Sequence, residues 1–235
     1  MSTQRDDRIE LVCLDMAGTT VSDGGAVEEA FVSAIGSVGV GDGPARDEML
    51  DFVRSTMGTS KITVFRALLG DESRAREANA AFEHAYHDLV AAGRIAPLPG
   101  AAEAVAALRS EGRKVALLTG FSAATRDEIL ETLGWRDLVD LALCPSEAGR
   151  GRPWPDMVLT AVLRLEISDV AHVAVAGDTA ADVESGLRAG ASVCAGVLTG
   201  ADRRDRLEAA GATHVLASVS ELPSVLATRS RAAPR

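Results

Sequence analysis

Positive charge is scarce in this chain. Its 235 residues carry 24 basic against 34 acidic side chains, a formal net charge of −10. A protein of this charge repels phosphate backbones and anionic lipid headgroups, so we expect neither nucleic acid nor a membrane surface among its partners. No apolar run approaches the length that spans a bilayer, and the polar start differs from a secretory signal. We therefore expect a cytoplasmic location and, at most, a locally basic site for a small anion.

Cysteine is also rare, and its positions exclude a local metal or redox motif. Cys13, Cys144 and Cys194 lie far apart, each within a short apolar segment, which predicts buried thiols. The remaining composition, 47% hydrophobic and 25% charged, excludes disordered and fibrous proteins. The length indicates one large domain, or a core with an insertion.

Lysine is the scarcest charged residue type. Only Lys61 and Lys114 stand among the 24 basic residues, and the others are arginine. Because a lysine amine can act as a nucleophile whereas a guanidinium cannot, a lysine in such an arginine-rich chain suggests a chemical role. The alternative is that Lys61 points to solvent at the start of a helix.

Short apolar runs alternate with helical periodicities along most of the chain. The runs predict buried parallel strands at 9–14, 115–118, 138–143 and 170–176. Helical patterns occupy 101–108, 123–133, 157–165 and 181–189. This alternation predicts an α/β fold with helices on both faces of a parallel sheet, and ligands bind such folds at the carboxyl ends of the strands.

One long segment breaks the alternation. Residues 22–95 predict helices at 27–38, 46–56, 62–69 and 73–92, with no convincing strand. We interpret the segment as a helical cap domain inserted into an α/β core formed by residues 1–21 and 96–235. Glycine and proline place the expected hinges at 22–25 and 97–100.

Acidic side chains follow two of the predicted strands. Asp15 follows the first, while Asp178 follows the strand at 170–176 and Asp182 lies one helical turn further on. By itself Asp15 could equally cap a turn, attack phosphorus or bind a cation. Because acids recur at one expected sheet edge, we favour a Mg²⁺ site, since Mg²⁺ relies on few carboxylates together with the substrate.

Groups suited to phosphoryl oxygens lie near these acids. Gly18 and Thr19 belong to the small turn after Asp15, whose backbone amides are expected to contact an anion. Thr119 and Gly120 supply a hydroxyl and an amide at the end of the strand at 115–118. A cation comes from Arg152 on a proline-containing loop, with its neighbour Arg150 as a competitor for that role.

In this order, the motifs resemble the haloacid dehalogenase superfamily, and the resemblance covers essentially the whole chain. It implies a Rossmann-like core with an inserted cap and a Mg²⁺-dependent hydrolase in which Asp15 attacks phosphorus. Asp15, Asp178 and the Ala17 carbonyl would hold the metal, Asp182 would orient the metal site, and Arg152 would bridge nucleophile and phosphoryl group. Most phosphatases of the superfamily carry a second aspartate where this chain has Ala17.

Ala17 and Arg152 are similar to the pattern of the phosphonatase-like group. Residues 57–61 resemble the segment that carries its Schiff-base lysine, which implies a catalytic Lys61 and a substrate contact from Met57. Cleaving a C–P bond leaves a carbanion, and an iminium formed by Lys61 would act as its electron sink. The implied substrate is a 2-oxoalkylphosphonate, such as phosphonoacetaldehyde or a relative.

Three positions depart from that group and keep alternatives open. Val64, Gly25 and Phe121 stand where its members have histidine, cysteine and tyrosine. The chain could instead be a phosphatase for small phosphate monoesters, similar to phosphoglycolate phosphatases. It could also be a non-catalytic binding protein on the same fold, although such a protein would be expected to lose Asp15 or Asp178. The sequence is compatible with a monomer or a homodimer.

Overall fold

The computed structural model describes residues 8–22 and 24–232. The strands are Leu11–Asp15 (β1), Val21–Ser22 (β2), Ala96–Pro97 (β3), Lys114–Leu118 (β4), Leu141–Leu143 (β5), Val173–Gly177 (β6), Val193–Val197 (β7) and His214–Leu216 (β8). The helices are Ala26–Ser37 (α1), Pro44–Ser55 (α2), Lys61–Leu69 (α3), Glu72–Ala91 (α4), Ala101–Ser110 (α5), Ala123–Thr132 (α6), Pro145–Ala148 (α7), Asp156–Arg164 (α8), Ala180–Ala189 (α9), Arg204–Ala209 (α10) and Leu222–Ala232 (α11). The outer ends of the predicted core, 1–7 and 233–235, and residue 23 of the first expected hinge lie outside the described residues.

A six-stranded parallel sheet forms the core and confirms the predicted α/β fold. Its strand order is β5-β4-β1-β6-β7-β8, so β1 lies between β4 and β6. Four of these strands were predicted, but the run at 138–143 begins to pair only at Leu141, and the run at 170–176 starts with a 3₁₀ turn, Val170–His172. The pattern did not reveal β7 or β8, because β7 contains Gly196 and β8 has only three residues.

Side chains of β1 alternate between the two faces of the sheet. Leu11 and Cys13 belong to one hydrophobic cluster, whereas Val12 and Leu14 belong to the other, and all four are fully buried. Because helices cover both faces, the strand is a continuous apolar run in the sequence. The three cysteines are buried free thiols, as expected. Among the described residues, no helix is both long and apolar enough to cross a bilayer.

Helices α1 to α4 follow one another between β2 and β3, and each begins and ends within two residues of its predicted bounds. Phe31 of α1, Phe65 of α3 and Phe82 of α4 pack together, with ring centroids 4.8 to 6.2 Å apart. At the base of this helical segment, β2 and β3 pair antiparallel, which holds its two connections to the core side by side. The division of the chain into core and cap domains stays a prediction.

Candidate active site

The expected strand-end residues meet at one edge of the sheet. Asp15 ends β1, Thr119 follows β4, and Asp178 follows β6. Since β4, β1 and β6 are neighbours and parallel, their carboxyl ends lie side by side. The three side chains line one cavity of about 310 Å³, the main cavity, together with Lys61 and Arg152. The core therefore contributes carboxylates, a hydroxyl and a guanidinium to a single space.

Of the two candidate arginines, Arg152 is the one that enters this cavity. Its Nη1 donates to Oδ1 of Asp15 at 2.5 Å and also to Oδ1 of Asp182, and the residue is only 4% exposed. Arg150 is exposed; its Nε donates to both oxygens of Asp156 at 2.9 Å, and its guanidinium lies 4.3 Å from the Trp154 ring centroid. Arg152 is therefore placed to hold the orientation of the Asp15 carboxylate.

Asp178 is fixed by groups that surround both of its oxygens. The Thr19 hydroxyl donates to Oδ1 at 3.1 Å, and the Ala201 N–H donates to Oδ2 at 2.8 Å. Gly18 adopts a positive φ of 84°, and a Cβ there would lie 2.5 Å from Oδ2 of Asp178, so only glycine fits. The turn after β1 thus leaves room for the Asp178 carboxylate, which follows β6, and holds it by a hydrogen bond from Thr19.

The same turn corrects one expectation about phosphoryl contacts. The N–H groups of Gly18 and Thr19 donate to the carbonyls of Val21 and Met16, which closes the turn. These two donors are therefore used within the backbone, and the Thr19 hydroxyl serves Asp178. Gly18 and Ala17 line the main cavity, whereas Thr19 is fully buried beneath it.

Asp182 holds Arg152 in place. Its Oδ2 accepts from the N–H of Thr179 at 3.1 Å and from the hydroxyl of the same residue at 2.5 Å, at the start of α9. Its Oδ1 accepts from Arg152. Because both of its oxygens accept hydrogen bonds from the protein, Asp182 is suited to holding Arg152 in position. That Asp182 also takes part in metal binding stays a prediction.

The acidic cluster fits a divalent cation. One oxygen of each of Asp15, Asp178 and Asp182 lies within 4.8 Å of the others, and Arg152 balances only one of the three charges. Burial raises the pKa of Asp15 to about 6 although Arg152 lowers it, and burial with the neighbouring acids raises the pKa of Asp178 well above its usual range. These hard oxygens, with their excess negative charge, match the ligands that Mg²⁺ prefers.

A loop of the helical segment lies directly on the core and carries Lys61 into the main cavity. A Cβ on Gly120 would lie 2.8 Å from the Thr59 carbonyl oxygen, and a Cβ on Gly58 would lie 2.5 Å from Oγ1 of Thr179. Glycines on both sides of the contact therefore permit this close approach. Lys61, the first residue of α3, is 8% exposed and lines the cavity with Met57, so the solvent-facing alternative is wrong.

Aromatic rings surround the Lys61 amine. Its Nζ lies 5.1 Å from the ring centroid of Phe121, 5.7 Å from that of Phe31 and 5.9 Å from that of Phe82. Gly25, at a φ of 86°, also lines the cavity, and a side chain at that backbone angle would be strained. Val64 is buried on α3. Of the three departures from the phosphonatase-like pattern, Phe121 thus places an apolar ring near the amine, while Gly25 and Val64 bring no polar side chain to their positions.

Comparison with known proteins decides the family. A model of haloacid dehalogenase-like hydrolases matches residues 9–190. The chain belongs to this family. The hydrolase is 33% identical over 259 residues to phosphonoacetaldehyde hydrolase of Bordetella pertussis, which covers 94% of this chain and 92% of the relative. It is 28% identical over 257 residues to the Parabacteroides distasonis protein of the same name, with coverages of 93% and 96%.

A solved structure agrees with these relatives. The crystal structure of a phosphonoacetaldehyde hydrolase-like protein from Oleispira antarctica superposes on this hydrolase with a TM-score of 0.81 and 26% sequence identity, covering 95% of this chain and 93% of the other. The phosphonatase-like resemblance and the Rossmann-like core are therefore confirmed. The chain is a hydrolase.

Sequence reasoning missed one loop of this hydrolase's site. Thr199, Gly200 and Ala201 follow β7 and line the main cavity, and the Thr199 hydroxyl donates to the Gly18 carbonyl at 2.6 Å. The pair Thr199-Gly200 repeats the Thr119-Gly120 pattern after a strand. This Thr-Gly pair could have indicated a second phosphoryl-binding loop, but it was not recognised because β7 itself was not predicted.

Proposed function

We propose that this hydrolase cleaves the C–P bond of a 2-oxoalkylphosphonate, phosphonoacetaldehyde or a relative. The observation that carries the proposal is the buried Lys61 amine, which shares one cavity with Asp15, Thr119 and Arg152. The names of the relatives from Bordetella and Parabacteroides support the same substrate class. In a C–P hydrolase this amine would react with the substrate carbonyl, whereas in a phosphate monoesterase it could only bind an anionic group of the substrate.

The core residues would carry out phosphoryl transfer. Arg152 orients the Asp15 carboxylate, which attacks phosphorus, so that an O–P bond forms as the C–P bond breaks. Thr119 and Gly120 would contact the phosphoryl oxygens from the end of β4. Asp15, Asp178 and the Ala17 carbonyl would hold Mg²⁺. Asp182 would orient this site through its hydrogen bond with Arg152. When bound, that ion would neutralise the charge on the phosphoryl group.

Lys61 would accept the electrons that the C–P bond leaves behind. Its amine condenses with the substrate carbonyl, expelling water and forming an iminium. When the C–P bond breaks, its electron pair moves into the iminium and gives an enamine. The carbon then takes up a proton, and water releases the carbonyl product from Lys61, while a second water hydrolyses the aspartyl-phosphate.

Borohydride trapping tests this proposal. Incubating the protein with 2-oxopropylphosphonate and borohydride should leave a stable adduct on Lys61, located by peptide mass mapping. Lys61→Arg keeps the charge but should lose both adduct and C–P cleavage, while Lys114→Arg, at an exposed lysine paired with Asp140, should retain both. An unlabelled wild-type protein, with Lys61→Arg hydrolysing phosphate monoesters as well as the parent, would favour the phosphatase alternative.

The metal has a test that does not depend on turnover. Chelator-treated wild-type protein should gain thermal stability when Mg²⁺ is added, because a ligand that binds only the folded state raises its melting temperature. Asp178→Asn should lose that gain. Equal stabilisation of both proteins would move the metal away from Asp178. The expected cytoplasmic location, the expected lack of nucleic-acid and membrane partners, and the oligomeric state stay predictions.

A further inference from the structure

A second, smaller cavity adjoins Lys61. It has a volume of about 160 Å³ and lies between α3, α4 and the start of α6. Lys61, Gly120 and Phe121 line both this side cavity and the main cavity, so the two spaces adjoin at these residues. Among the residues that line the side cavity, Lys61 and Glu83 are the ionisable ones. Of the side chains that line the side cavity, Glu83 is therefore the carboxylate that could exchange protons with the Lys61 amine through water.

Glu83 is held in the side cavity by two hydroxyl groups of the core. Ser122 donates to its Oε2 at 2.5 Å, and the Thr125 hydroxyl donates to the same oxygen. Within the described part of the chain, no hydrogen bond reaches Oε1. Glu83 is thus fixed in position by one oxygen while the other remains for a water molecule or a proton.

The other glutamate near Lys61 is poorly suited to this task. Glu28 lines the main cavity, but both of its oxygens accept from Arg54, which lowers the pKa of Glu28. A carboxylate held ionised by a guanidinium is a weak proton acceptor. Asp15 and Asp178 belong to the phosphoryl end of the main cavity, beside Arg152 and the Thr19 hydroxyl.

We propose that Glu83 is the proton donor and acceptor for the carbonyl chemistry of Lys61, acting on water in the side cavity. The proposal rests on the proposed function. After Lys61 adds to the carbonyl, Glu83 in its acid form protonates the departing hydroxyl, which leaves as water and gives the iminium. After C–P cleavage and protonation of the enamine carbon, Glu83 in its base form takes a proton from the water that adds to the iminium. Glu83 gives that proton to nitrogen as the C–N bond breaks and takes up the hydroxyl proton of the carbinolamine as the C=O bond re-forms, so Glu83 ends in its acid form.

A structural role for Glu83 predicts different behaviour. The residue also connects α4 to the start of α6, and a second connection of this kind joins His87 Nδ1 to Glu128 Oε1 at 2.6 Å, away from both cavities. If Glu83 served only to hold α4 on the core, removing its charge would resemble Glu128→Gln. If Glu83 moves protons, the two substitutions differ in the rate at which Lys61 forms its adduct.

The experiment follows adduct formation over time. Each protein is mixed with 2-oxopropylphosphonate, quenched with borohydride, and its Lys61 peptide is quantified by mass spectrometry. Glu83→Gln, which keeps size and hydrogen bonding, should form the adduct about a hundredfold more slowly than wild type, the scale of general acid–base catalysis. Glu128→Gln should match wild type. Adding formate should restore a large part of the rate to Glu83→Ala and leave the wild-type rate unchanged.

Each outcome has a distinct meaning. A wild-type rate in Glu83→Gln, equal losses in Glu83→Gln and Glu128→Gln, or a Glu83→Ala protein that formate does not rescue would overturn the assignment of Glu83. Absence of any adduct in wild type would instead overturn the proposed function on which that assignment rests. Melting temperatures of all variants identify any that fail to fold, and formate rescue of Glu83→Ala decides the case if Glu83→Gln is one of them.

Discussion

The two walls of the main cavity are built differently. The core wall carries Asp15, Thr119, Arg152 and Asp178 at the end of a parallel sheet, where Arg152 donates to Asp15 and the Thr19 hydroxyl donates to Asp178. The wall supplied by the helical segment carries Lys61, whose amine lies near the rings of Phe31 and Phe82. A phosphoryl group needs fixed charges and hydrogen-bond donors, whereas a carbonyl that condenses with an amine needs a site with little water. Under the proposed function, each wall therefore has one chemical task.

Removing the proposed nucleophile on the core wall should have the largest effect. Asp15→Asn keeps the shape of the side chain and an acceptor for Arg152, yet it cannot form the aspartyl-phosphate. We expect phosphate release to fall by roughly 10⁴-fold or more. Lys61 should still form its borohydride adduct, because the other wall is untouched. Substantial turnover by Asp15→Asn, or loss of the Lys61 adduct in this variant, would contradict the hypothesis that the two walls carry out separate chemical steps.

Changing the buried cation should cost less. Arg152→Lys keeps a positive charge but cannot contact Asp15 and Asp182 from one planar group, so kcat/KM for phosphate release should drop by about a hundredfold. Arg150→Ala is the matched control, since that side chain is exposed and pairs with Asp156. A crippled Arg150→Ala with an unaffected Arg152→Lys would mean that the wrong arginine has been assigned.

The aromatic wall should respond more mildly. Phe82→Leu removes a ring near Lys61 and lets the amine take other rotamers, which should slow adduct formation by about tenfold or less. Phe65→Leu removes another ring of the same cluster, one that no close contact joins to the amine. Both should lose stability by about 1 kcal/mol. Equal adduct rates in the two variants would show that the rings serve only to pack the helices.

The smallest effect is expected away from both walls, just before β1. Burial raises the pKa of Glu10, but hydrogen bonds from Ser168, Arg8 and His172 outweigh it and lower the pKa from 4.5 to about 2. The ionised side chain therefore stabilises the fold above pH 4.5, and this contribution is lost as the pH falls towards 2. Urea unfolding should show Glu10→Gln less stable than wild type by about 1 kcal/mol or less at pH 6, with a narrower gap at pH 3.5. An equal gap at both values would contradict the role of the carboxylate.

The core wall was largely accessible from the sequence, and the physical reason is local. A strand buried on both faces is a continuous apolar run, so a polar residue directly after it marks a strand end. Asp15, Thr119 and Asp178 were found in this way. The loop at 199–201 was missed because Gly196 interrupts the apolar run of β7, so the end of that strand could not be recognised.

The other wall could be predicted only in part. The scarcity of lysine pointed to Lys61, and helical periodicity gave the bounds of α1 to α4. Neither pattern says which helix face meets which, because periodicity identifies a buried side but not its partner. Glu83 therefore drew no notice in the sequence. Its place beside Lys61 depends on how α4 packs against α6.

The sequence by itself determined the fold class, the order of the motifs and the residues that end the predicted strands, since each follows from patterns over a few neighbouring positions. Only the tertiary structure joined Arg152 to both Asp15 and Asp182, used the amides of Gly18 and Thr19 to close a turn, and enclosed the Lys61 amine with rings from α1, α4 and the loop after β4. These outcomes depend on contacts between segments far apart in the chain, and a local pattern carries no information about such contacts.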